Sequence, residues 1–236
     1  MKMKLLETNI TQTINEDYLI ETLNLDNKTM LELGCGKAIM TRKIANNGIN
    51  RKVIACEVDE NQHKLNLALN EKNIEFKLCG AENIDVEDNS IDIVFMFKSF
   101  HHIPAEFMNK ALDEIKRVLK PSGFAYISEP LHQGAQNELV AMFHNEEEVR
   151  KKAFEAIKNS VDTNKFKLFK EIFFQTEVYY ENFNDFENKQ MNVTYNEVSI
   201  TDELKSKIKE KFDSYNNGDE ITLLKPFRVD ILQKIV

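Results

Sequence analysis

The sequence predicts an α/β fold, a doubly wound and mostly parallel seven-stranded sheet with helices on both faces. Three observations predict it. Short β-rich runs alternate with helical patterns from Thr29 to about Pro130, the first run ends in a glycine pair, and two further β-like runs come late in the chain.

The expected strands of the core are Met30 to Leu33, Lys52 to Glu57, Ile74 to Leu78, Asp92 to Phe97 and Phe124 to Glu129. Helices fill the gaps. "TRKIANNG" stops at Gly48, a C-cap residue; "ENQHKLNLALNEK" repeats apolar positions at helical spacing; "PAEFMNKALDEIKRVLKPSG" opens on Pro104 and stops before Pro121. Residues 1–28 are polar with scattered Leu and Ile, and predict one or two short helices capping the core of residues 29–130. "QNELVAMFHNEEEVRKKAFEAIKNS" predicts one long amphipathic helix whose "EEEVRKK" run is a solvated face, and with the Phe- and Lys-rich stretch after it makes a helical insertion over 131–172. Residues 173–236 then supply the runs "FFQTEVYYENF" and "EITLLKPFRVDILQKIV", with the helical "TDELKSKIKEKFDSY" between them, and complete a single domain of 236 residues.

With 31 Lys and Arg against 39 Asp and Glu, the formal charge of −8 opposes broad binding to phosphate backbones and argues against nucleic acid as a partner. "MKMKLL" leads into "ETNITQTINED" where an export signal requires an apolar stretch, and no run of about 18 apolar residues occurs. A cytoplasmic protein is the expectation. Cys35, Cys56 and Cys79 lack metal or disulfide-framework spacing and are expected to be reduced packing residues near strand ends. No metal site is expected.

"MLELGCGKAIMTRKIANNG" places two of only 7 glycines at the first strand-to-helix turn. In a doubly wound sheet that turn borders the crevice beyond the carboxyl ends of the strands, where Gly34 and Gly36 let the backbone turn sharply and approach a ligand. A dinucleotide fingerprint asks for a third glycine where this chain has Ile39, which argues against a nicotinamide-dependent oxidoreductase. Glu57 ends the second strand about twenty residues on, where an acid accepts ribose hydroxyls. A nucleoside cofactor without a demanding phosphate site follows.

Four segments, "LELGCGKA", "VIACEVDE", "AENIDVEDNSIDIVFMFKSFHHIP" and "LKPSGFAYISEP", stand in the order and spacing of a known family. Over residues 28–130 the chain resembles the class I S-adenosylmethionine-dependent methyltransferases, with their Rossmann-like fold, and particularly the small-molecule enzymes similar to those of ubiquinone and menaquinone biosynthesis. The resemblance implies S-adenosyl-L-methionine as cofactor, with Glu32, Gly34 and Gly36 near its methionine end, Glu57 on the ribose and Val58 beside the adenine. Ala38 stands where the family commonly has a third glycine, and Gly80 where it often has an acid for the adenine amino group, which leaves adenine to Ala81 and Glu82. Phe97 closes the cofactor side at the end of the fourth strand, where "FKSF" departs from the Asn/Asp-Pro-Pro-aromatic motif of base and amide N-methylation.

The acceptor implied is a small organic molecule methylated at O, N, S or C. A methyl sulfonium carries its own leaving group, so the protein needs chiefly to align the nucleophile and exclude water, with a base only where the nucleophile holds a proton. His101, His102, Glu129 and His132 fall at or just after carboxyl ends of strands and are the candidates for proton transfer. The resemblance also implies a lid made by the N-terminal residues and the insertion, whose phenylalanines at helical spacing, such as Phe143 and Phe154, read as core. A methyltransferase of tRNA or another macromolecule, and an S-adenosylmethionine-binding protein without catalysis, remain as alternatives.

Overall fold

The computed structural model describes residues 2–192, 200–215 and 220–235. The first core strand, β1 (Thr29–Leu33), leads through α2 (Ile39–Asn46) to β2 (Lys52–Glu57), then through α3 (Glu60–Leu67) to β3 (Ile74–Leu78). The chain crosses back as β4 (Ile91–Phe97), a single 3-10 turn over Phe100–His102, α4 (Ala105–Val118) and β5 (Leu119–Pro130). Helices α5 (Ala135–Val140) and α6 (Glu147–Asp162), strand β6 (Phe166–Tyr180), the short α7 (Phe183–Phe186), α8 (Asp202–Asp213) and β7 (Ile221–Lys234) complete it. The sheet order is β3-β2-β1-β4-β5-β7-β6, the first five parallel and β7 antiparallel to both of its neighbours. Strand order therefore reverses between β1 and β4, and the crevice of a doubly wound sheet opens there.

Alternation along the strands feeds two cores. Leu31, Leu33, Val94 and Met96 face α4 and α6, whereas Met30, Ile93, Phe95 and Phe97 face the layer of α1 (Glu16–Glu21) and α2. Met108, Ala111, Leu112 and Ile115 recur at helical spacing and bury one stripe of α4. Asp59 caps α3 by accepting from the backbone N–H groups of Asn61 and Gln62.

Three expectations change, and that of one or two N-terminal helices is refined. The N-terminal cap holds one helix, α1, and its earlier residues run extended along β6, with Ile14 N donating to Gln175 O and Gln175 N to Gln12 O. The long helix is broken at residues 141–146. The Phe- and Lys-rich stretch is strand from Phe166, so the insertion ends there and not at 172; β6 is an edge strand with one bulge between Leu168 and Lys170. Cys56 and Cys79 form a disulfide with Cα atoms 5.4 Å apart, and Cys35 alone is free. The pairing of β2 with β3 runs on past its last register pair, with Cys79 N bonded to Glu57 O, and brings the two thiols together.

Candidate functional site

The turn after β1 is shaped by its glycines. Gly34 and Gly36 have φ of +73° and +51°, and a Cβ at Gly34 would stand 2.8 Å from that of Ser99, whose hydroxyl donates to Leu33 O and ties β4 to β1. A Cβ at Gly36 would meet nothing within 4 Å, so this side of the turn faces open space. Glu57 holds the turn from below. Its Oε2 accepts from Gly36 N at 2.7 Å, and its Oε1 from Val58 N and Asp59 N at 2.8 and 3.0 Å. Of about four acceptor positions on a carboxylate, one remains on Oε2. Val58 beside it exposes 68% of its surface, an apolar side chain left uncovered at the crevice.

Glu32 is buried and accepts from the Thr41 hydroxyl at 2.6 Å; burial pushes its carboxyl up to about 8. Ala81 is buried and Glu82 half-buried. A Cβ at Gly80 would lie 2.5 Å from the Glu82 carboxylate, so Glu82 fills the place that a side chain at 80 would take. Phe97 departs from expectation: it is buried, and its ring packs against Phe95 and Tyr126 at 5.4 and 5.8 Å, committed to the core under the crevice.

Beyond the ends of β4 and β5 lies a cavity of about 750 Å³, walled by the 3-10 turn, α5, the break before α6, and β7. His101 and His102 both border it, their rings 4.1 Å apart, in different states. His101 is buried with Nδ1 against the Glu129 carboxylate and Nε2 3.5 Å from Glu146. Burial alone would lower its pKa, but Glu129 and Glu146 outweigh it and raise the imidazole to about 9, so at neutral pH it is a cation. His102 borders the cavity as an exposed residue, and desolvation, followed by the His101 cation, lowers its pKa and keeps it neutral. Glu129 is buried, accepts from Phe100 N at 3.0 Å as well as from His101, and so orients the turn that presents the histidines. His132 stands apart, in a separate small recess with Leu5 and Arg228, its Nδ1 bonded to Asn137.

Sequence reasoning missed the rest of the wall. Glu146 and Arg150, expected on a solvated helix face, turn inward and pair with each other, and Lys98, Lys225 and His144 line the same space. The signal was there in Lys225, a cation inside the apolar run of the last strand. His101, His102 and Glu146 bring ligand atoms within 4.8 Å of one another, which is metal-ligand spacing. Glu146 is already matched by Arg150 and His101, and three cationic side chains face the same space, so the electrostatics oppose a further dication.

Residues 31–127 match the methyltransferase-domain family model. This stretch is a methyltransferase domain. Around it the chain is 33% identical over 117 residues to phosphoethanolamine N-methyltransferase 1 of Triticum aestivum, covering 47% of this chain and 23% of that protein. It is 29% identical over 150 residues to the biotin biosynthesis bifunctional protein BioHC of Cellvibrio japonicus, covering 64% and 26%. The chain thus spans about a quarter of the length of these curated relatives. Among solved structures, a candidate methyltransferase of Bacillus halodurans matches with a TM-score of 0.67 at 16% identity, covering 94% of this chain and 99% of that one. An S-adenosylmethionine-dependent methyltransferase of Aquifex aeolicus matches with 0.55 at 16%, covering 92% and 89%. These likenesses show the fold, that of the class I methyltransferases, and the methyl donor of the class is S-adenosylmethionine. Among the described residues, no helix is long and apolar enough to cross a membrane.

Proposed function

We propose that the protein transfers a methyl group from S-adenosylmethionine to a small organic acceptor held in the cavity beyond β4 and β5, with His102 as general base. The observation that carries this is His102, its pKa lowered below the ordinary value, bordering a cavity beyond the ends of β4 and β5 in a chain whose residues 31–127 match a methyltransferase domain. The crevice supports this reading. Gly36 leaves open space, Glu57 retains one acceptor position for a ribose hydroxyl, Val58 offers an apolar surface for adenine, and the Glu82 carboxylate lies against Gly80, where it is available to the adenine amino group. Buried Glu32 is suited to a cationic amino group, which would hold its carboxylate ionised.

When bound, S-adenosylmethionine supplies a methyl group on a sulfonium that is its own leaving group. The chain's residues then have three tasks. The cavity walls exclude water and hold the acceptor in line. His102 takes the proton of a thiol, phenol or ring nitrogen. His101, locked between Glu129 and Glu146, fixes the turn that aims His102 and serves as a positioning residue. The insertion serves the core directly, because α5, the break and the start of α6 line the acceptor space, while the N-terminal Leu5 lines the neighbouring recess.

The first experiment is calorimetric titration with S-adenosylmethionine, S-adenosylhomocysteine and NADH in parallel, followed by a methyl-transfer screen of small acceptors. Binding of the first two alone, with transfer to a small molecule, is expected. Binding without transfer to any acceptor would favour a non-catalytic binding protein, transfer to tRNA alone would move the acceptor class, and binding of none would sink the reading.

A further inference from the structure

The cavity that holds the acceptor is cationic in a protein whose formal charge is −8. Lys98, Lys225 and Arg150 reach it from the end of β4, the middle of β7 and the first turn of α6, segments with no local reason to cluster. Lys98 and Lys225 both place their ammonium groups 5.5 Å from the centre of the Phe227 ring. Lys98 has Glu16 at 3.7 Å, but among the described residues no carboxylate stands within ion-pair distance of Lys225. Arg150 donates through Nη1 to Asn137 and Leu131 O and pairs through Nη2 with Glu146, while its Nε is buried with no hydrogen-bond partner. The one carboxylate of the cavity wall among the described residues, Glu146, is shared among Arg150, His101 and His144. Burial first, and then the nearby Lys98 and Arg150 cations, lower the Lys225 ammonium to about 8, with Glu146 opposing them.

An unpaired ammonium and an orphaned N–H donor are costly unless something answers them. We propose that the acceptor is an oxyanion, a carboxylate or phosphate ester, whose anionic group is bound by Lys98, Lys225 and Arg150 while its nucleophilic atom faces His102. This rests on the methyltransferase reading for the word acceptor, and on the cavity's own charges for the word oxyanion. Two positions on different elements then define specificity. Lys225 and Arg150 read the anion, and the distance from them to His102 sets which atom is methylated.

The test uses the full chain loaded with S-adenosylhomocysteine, whose own binding isotherm reports separately on the cofactor. Benzoate, phenyl phosphate and the neutral benzamide are titrated into that complex at pH 7. At least one anion is expected to bind with a Kd of about 1 mM or tighter and at least about tenfold better than benzamide, the scale of a charge-assisted hydrogen bond. The ratio of benzoate to phenyl phosphate tells carboxylate from phosphate. Lys225→Met should weaken the anion about tenfold or more, Lys225→Arg should retain it, and Lys167→Met, on an exposed stretch of β6, should leave it unchanged. The thermal midpoint of Lys225→Met checks that it is folded, and an unfolded variant passes the test to Arg150→Lys and Arg150→Met. Equal binding of benzamide, anion binding indifferent to both cations, or no anion binding up to about 10 mM would overturn the proposal. Anion binding without any heat from S-adenosylhomocysteine would instead sink the cofactor reading and leave the oxyanion site standing.

Discussion

His101 Nδ1 meets the Glu129 carboxylate in the interior, and this contact joins the 3-10 turn after β4 to the end of strand β5. The same carboxylate accepts from Phe100 N, so one side chain holds both the backbone and the ring of the turn. Across the sheet Glu129 stands in register with Arg228, itself buried and paired with Asp230 at 2.8 Å. A line of buried charges thus runs from β7 through β5 to the cavity, where it ends at Glu146 and Arg150.

Breaking that line from one side strands a charge. Glu129→Gln is expected to cost about 3–5 kcal/mol of stability, because the His101 cation loses its nearer partner inside the protein. The pH dependence has a defined sign. The folded-state pKa of His101 is raised from 6.5 to about 9, so its contribution is full below pH 6.5 and is lost as pH rises through 9. Urea unfolding of the parent chain between pH 6 and 10 should show this fall, and Glu129→Gln should flatten it; parallel curves for the two proteins would dismiss the pairing as a source of stability.

The neighbouring histidine has a different consequence. His102 is neutral at pH 7, and His102→Ala should lower kcat by about 10²–10⁴ while removing the decline of rate at acid pH. His132→Ala, which alters a separate recess, should keep both rate and profile. Rates are to be compared once an acceptor is found, and a normal pH profile in His102→Ala would end its assignment as base.

Glu57 both accepts three backbone N–H groups and offers its last acceptor position to the cofactor. Glu57→Ala is expected to weaken S-adenosylhomocysteine binding by about 1–3 kcal/mol, through the lost hydrogen bond to a charged group and a loosened glycine turn. Calorimetry decides it, and an unchanged Kd would remove Glu57 from the ribose site.

How far the sequence could be read depended on range. The β1 turn, the acid ending β2 and the α4 stripe are local patterns, and Lys52–Glu57 and Ile74–Leu78 are strands over the residues that their β-rich runs predict. Edge strand β6 was harder, since "FKLFKEIFF" interleaves lysines with apolar residues at spacings that suit a helix face as well as a half-exposed strand. The break at 141–146 is set by tertiary contacts: Asn145 caps Glu147 N, and Glu146 is drawn inward by His101 and Arg150. The acceptor cavity escaped because its charges at 98, 146, 150 and 225 converge only in three dimensions.

Glu32 makes the last prediction, and it sets stability against binding. Its carboxyl is raised to about 8 by burial against an unfolded value near 4.5, so the unfolded chain releases the proton first and the native state loses stability as pH rises from 4.5 to 8. Glu32→Gln keeps a hydrogen-bond acceptor for Thr41 and removes that penalty, and it should raise stability above pH 8 by about 1–3 kcal/mol. The same change deletes the anion that a cofactor ammonium would meet, so S-adenosylhomocysteine should bind more weakly. In the parent chain, binding at pH 7 should release up to one proton as the ammonium brings Glu32 to its ionised form, which titrations in buffers of different ionisation enthalpy measure directly. If Glu32→Gln bound the cofactor with parental affinity and the same proton release, the carboxylate would have no part in holding the methionine end.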